Sequence, residues 1–118
     1  MKKAILIDST NRTITEVEVV KNSHGSELSS IYGHLKCDIF EIVNVGDEDV
    51  YVDEEGLLKV DESTGFFEID GYPQPIAGNG LILGLDIKTG ESVSCHSTVE
   101  EVKSKVKFLT YNDVRDRF

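Results

Sequence analysis

The segment "GYPQPIAGNGLILG", residues 71–84, decides the fold reading: glycines at 71, 78, 80 and 84 and both prolines of the chain run directly into apolar residues. A dinucleotide-binding turn requires G-x-G-x-x-G between a strand and a helix, and a P-loop requires G-x-x-x-x-G-K-[ST]. Here "GNGLILG" reads G-x-G-x-x-x-G and continues into more strand, so spacing and context both fail. The segment is instead expected to turn a sheet corner, with Pro73 and Pro75 holding the chain extended and Gly78, Gly80 and Gly84 permitting close backbone approach.

Downstream, "GLILGLDI", a "KTG" turn and "ESVSCH" predict a hairpin in which Gly90 supplies a positive φ. Upstream, "FFEID", "LLKV", "DVYVD" and "DIFEIVNV" predict short strands separated by "DESTG", "EEG" and "GDED" turns. "KAILID" and "ITEVEVV" form another pair around "DSTNRT", with valines inward and Glu16 and Glu18 outward. Leu28, Ile31, Tyr32 and Leu35 recur at helical spacing behind Ser26, predicting an amphipathic helix weakened by Gly33. In "STVEEVKSKV", Ser97 and Glu100 stand three apart as a capping box, with Val99, Val102 and Val106 on one stripe. "KFLT" is a last strand.

The fold class that follows is α+β: a mainly antiparallel sheet of short strands with two short helices. A chain of 118 residues with 39% hydrophobic content suits one domain, expected over residues 1–110, with residues 111–118 a partly ordered polar tail.

Charge narrows the functions. Residues 47–70 hold ten acids against Lys59 alone and carry −9 of the net charge of −10. Such a field disfavours direct contact with nucleic acid and with anionic membrane surfaces, and favours a basic protein partner. The carboxylates expected to face that partner are Asp47, Glu48, Asp49, Asp53, Glu54, Glu55, Asp61 and Glu62, placed in turns and on outward faces. No apolar run reaches the length of a membrane span and no stretch has signal-peptide flanks, so a cytoplasmic protein is expected.

Reactive centres are hard to find. His34 and Cys37 stand three apart and Cys95 and His96 are adjacent, but neighbours on a strand point to opposite faces, so no zinc site is expected. "DEDVYVDEEG" lacks the sixth-position glycine and twelfth-position glutamate of an EF-hand loop. Cys37 and Cys95 are expected as unpaired thiols, no G-x-S-x-G occurs, and neither a catalytic residue nor a cofactor is assigned.

The stretches "AILIDSTNRTITEVEV", "DEEGLLK" and "FFEIDGYPQPIAGNGLILG" resemble a loose group of small uncharacterised proteins carried by phages and other mobile elements, some known only as domains of unknown function. The likeness runs over roughly residues 3–86 and implies a phage accessory protein in the bacterial host cell.

Three functions are therefore expected in order. The first is a non-catalytic binding protein that blocks a basic host protein, of defence or of nucleic-acid binding, by imitating phosphate charge. The second is a small-ligand or nucleotide binder that uses Tyr72 and the backbone amides of Gly78, Asn79 and Gly80. The third is a homo-oligomer paired through strand edges, for which exposed Phe66, Phe67 or Tyr51 would be the mark. Of the two phenylalanines, alternation along a strand predicts that one faces the core.

Overall fold

A computed structural model of the chain describes residues 1–46 and 48–117. Its strands are β1 Lys2–Asp8, β2 Thr13–Val19, β3 Phe40–Val45, β4 Glu48–Asp53, β5 Phe66–Ile69, β6 Ile76–Ala77, β7 Gly80–Leu85, β8 Ser92–Val93 and β9 Val106–Leu109. The helices are α1 Leu28–Leu35, α2 Val99–Lys105 and a single turn, α3 Tyr111–Val114. The fold is thus α+β on antiparallel sheets, with a third helix beyond the two expected.

The apolar run after Gly80 becomes the centre of the molecule because both faces of β7 are buried. The larger sheet runs β2-β1-β7-β4-β3, with β8 also paired to β7. Leu81 and Leu83 point to one side, where Ile31 and Leu35 of α1, Ala4, Val19 and Tyr51 join them in one cluster. Ile82 points to the other, against Ile5, Ile7, Val50, Val52, Phe67 and Val102. Three layers result: α1, the large sheet, and a layer made of α2 and the small sheet β6-β5-β9.

Gly80 explains how close the small sheet comes. A Cβ there would stand 2.6 Å from the Cζ of Phe67, so the bare backbone is the seat of that ring. Phe66, on the opposite face of β5, is equally buried, packed with Ala77, Leu109 and Val114. The expectation that only one phenylalanine faces a core is corrected: β5 lies between two clusters, and alternation delivers one ring to each.

Other local expectations change. "LLKV" is a 3-10 turn over Gly56–Lys59, with Leu57 and Leu58 exposed, rather than a strand. The α2 cap is shifted by one residue: the Thr98 hydroxyl accepts from the Glu101 amide and the Glu101 carboxylate accepts from the Thr98 amide, each at 3.1 Å. Residues 111–117, within the stretch expected as a partly ordered polar tail, open with a helical turn capped by Thr110 and Asp113, and its Val114 is fully buried. Among the described residues, no helix is long and apolar enough to cross a membrane.

Candidate functional site

The turn between β3 and β4 is shorter than "GDED" suggests. Val45 already pairs with Glu48, and Gly46 carries a positive φ of 66°. Glu48 and Asp49 therefore lie within a strand and are buried. This corrects their placement as outward turn residues.

Glu48 pairs across the sheet with Gly84 of β7. The missing side chain at Gly84 leaves a gap into which the loop 94–97 descends: a Cβ there would meet the Ser94 carbonyl oxygen at 2.5 Å and the His96 ring at 2.8 Å. The Glu48 carboxylate then gathers the loop. It accepts from the Cys95 thiol at 2.9 Å, the His96 amide at 2.9 Å, the Ser97 amide at 3.1 Å and the Ser97 hydroxyl. Burial works against the charge on Glu48, but these donors together overcome it and hold the carboxyl below its ordinary value. For Cys95, burial first and the neighbouring carboxylate second push the thiol up to about 12. It is a neutral donor, not a nucleophile.

With this loop fixed, α2 stands off the sheet and leaves a cleft of about 560 Å³. Val50, Ile69, Ile82 and Val102 form an apolar floor, and Glu48, Asp70, His96, Ser97, Glu101 and Lys105 give its polar lining. Glu48 and Glu101 are committed to their amide and hydroxyl donors. Asp70, His96 and Lys105 are exposed at the rim, and among the described residues none of their side chains has a hydrogen-bond or ion-pair partner. A cleft of this volume with an apolar base and a few convergent polar groups suits a small organic ligand.

The other residues singled out in the sequence are dispersed. Asp49 faces the α1 side and accepts from Asn44. Asp53 pairs with Lys59 at 3.0 Å and accepts from the Glu55 amide. Asp61 holds its own turn, accepting from the amide and hydroxyl of Ser63. Glu54 and Glu62 are exposed, Glu55 is half-buried, and Asp47 lies outside the described residues. Glu48 and Asp53 sit at opposite ends of β4, about 17 Å apart at ordinary strand rise. Glu48 and Asp49, both buried, are not part of an exposed acidic surface.

The glycine loop is occupied by its own fold. The Gly78 amide donates to the Gly65 carbonyl at 2.9 Å, and the Gly78 carbonyl accepts from the Ser9 hydroxyl. Buried Asn79 donates to the His34 carbonyl at 3.3 Å, and Gly80 is covered by Phe67. Tyr72 stands apart from them, beside Pro75 in a small hollow of about 70 Å³. Cys37 and Cys95 lie in clusters on opposite faces of the large sheet, both as free thiols. His34 Nε2 is bonded to the Glu18 carbonyl at 2.9 Å. Among the described residues, no three His, Cys, Asp or Glu side chains converge to hold a metal.

The cleft itself was missed in the sequence. Its only local signals are the glycine at 84 and the capped helix start after "SCHS", and neither reveals that a carboxylate at residue 48 joins them.

Three layers built on two antiparallel sheets, with a lined cleft between α2 and the large sheet, define a small α+β domain. The chain belongs to the family described as a domain of unknown function, DUF3846, whose model matches residues 1–107. No curated protein and no solved structure matches it.

Proposed function

We propose that the protein is a non-catalytic binding protein whose ligand site is the cleft between α2 and the large sheet. The observation that carries this is the pairing of an apolar floor with three uncommitted polar groups, Asp70, His96 and Lys105, at one rim. One carboxylate and one ammonium are complementary to a zwitterionic or neutral amphiphile that lays its apolar body on Val50, Ile69 and Val102. Nucleotides fit less well, because Glu48, Asp70 and Glu101 all face the same space. This moves small-ligand binding away from Gly78, Asn79 and Gly80. The resemblance to phage-borne proteins supports an accessory role in the host cytoplasm as part of the same proposal.

A thermal-shift screen with amino acids, betaines and nucleotides tests it. A zwitterion at a hundredfold its Kd should stabilise the fold by about 2.7 kcal/mol. That gain should fall in Lys105→Glu, whose side chain is exposed at the rim. Stabilisation by nucleotides alone, or a gain untouched by Lys105→Glu, contradicts the reading.

A second reading, capture of a basic host protein, keeps one specific support. Among the described residues, Glu54 and Glu62 have no ion-pair partner.

A further inference from the structure

The two edges of the large sheet are treated differently. At β2, side chains of α1 take up backbone groups: His34 bonds the Glu18 carbonyl at 2.9 Å and the Ser30 hydroxyl accepts from the Val20 amide at 3.1 Å. At β3, among the described residues, no strand pairs with the outer side.

The hydrogen-bond phase of that edge follows from one bond and the register. The Glu54 amide donates to the Ile39 carbonyl at 3.1 Å, and the pairing runs on to Val45 and Glu48. Antiparallel pairs alternate between bonded and non-bonded, so Glu41, Val43 and Val45 bond inward to β4. Phe40, Ile42 and Asn44 therefore turn their N–H and C=O groups outward.

No kink or proline in β3 blocks these groups. The register from Phe40–Asp53 to Val45–Glu48 is unbroken by a bulge, and the strand holds no proline, glycine or lysine. Ile39 and Ile42 are 47% and 49% exposed beside it. Asp38, Glu41 and Glu54 are exposed along the same margin.

We propose that β3 is a docking edge that accepts an extended basic peptide segment of a partner protein as an additional antiparallel or parallel strand. The outward amides and carbonyls supply main-chain bonds, Ile39 and Ile42 supply apolar contact, and Asp38, Glu41 and Glu54 select lysine and arginine. A second copy of the chain is the poorer occupant: it brings another net charge of −10 and the same carboxylates to the contact. Phe66, Phe67 and Tyr51, the residues whose exposure would mark self-pairing, are all buried. The cleft touches β3 only at Val45, beyond the Ile39–Asn44 stretch that carries the edge, so either proposal can fail alone.

The test is selection from a displayed library of random linear peptides, followed by titration of the enriched peptides and sedimentation of the free protein. Enriched peptides should alternate Lys or Arg with β-branched residues. Their affinity should fall by about tenfold or more in Ile42→Pro, which removes an outward N–H, and in Glu41→Lys/Glu54→Lys. Since proline can disturb the strand, Ile42→Lys is the companion: it retains every backbone group, places a cation on the edge, and should weaken basic peptides comparably. Absence of enrichment, enrichment of peptides without bases, binding indifferent to all three variants, or a dimer abolished by Ile42→Lys would each overturn the proposal.

Discussion

Glu48 and Ser97 are 49 residues apart in the chain, yet the hydroxyl and the amide of Ser97 both donate to the Glu48 carboxylate. That contact fixes the entry to α2, and with it the width of the cleft. Replacing Glu48 by Ala would leave four donors facing a buried gap. The expected loss is on the order of 3 kcal/mol, read from urea unfolding.

The same contact makes stability fall in acid. A carboxyl held lower in the folded chain than in the unfolded one contributes its full stabilisation above its ordinary value of 4.5 and loses it as pH falls through the folded value. Asp8, held low by the Asn11 and Thr10 donors against the opposing effect of burial, acts in the same direction. Unfolding free energy should be flat near neutrality and decline below about pH 4.5. Glu48→Gln should flatten part of that decline.

Cys95 should be inert in the folded protein. A thiol pushed up to about 12 exposes almost no thiolate at pH 8. Cys37, raised first by its burial and then by Asp53, should behave likewise. Reaction with a disulfide reagent should therefore track unfolding, and Glu48→Gln should speed modification of Cys95 by removing the charge that opposes its ionisation.

Two glycines should answer oppositely to alanine. At Gly80 the new methyl strikes the buried Phe67 ring, so a loss of about 1–3 kcal/mol is expected. At Gly33, in the body of α1, nothing lies within 4 Å of the new methyl, and the helix should gain roughly 0.5–1 kcal/mol. Melting of the two variants beside the parent chain checks both signs.

Val114 is fully buried against the Phe66 cluster, although the family match ends at residue 107. Ending the chain there would strip Leu109 and Val114 from that cluster. The truncated protein should unfold at markedly lower urea than Val114→Ala, which should itself cost about 1–2 kcal/mol.

What the sequence disclosed depended on whether the deciding partner was local. Alternation and turn chemistry revealed β1, β2 and β7, and Gly90 takes its positive φ of 74° in the hairpin turn. The capping pattern before α2 was readable, but "ST" followed by "VEE" allows two frames, and the Ser97 hydroxyl is taken by Glu48. The acidic composition of residues 47–70 drew Glu48 and Asp49 into the turn, because nothing local shows that donors at 95–97 make burial of Glu48 affordable. Phe66 and Val114 were obscured for a related reason: the small sheet has a second core, built from β5, β9 and the last helical turn.

The most direct test of cleft binding is amide chemical-shift mapping with the most strongly stabilising zwitterion. The account predicts that the largest changes fall at Gly71, His96, Val102 and Lys105, around one rim. Changes centred on Gly78, Asn79 and Gly80, or an unmoved spectrum at saturating ligand, would contradict it.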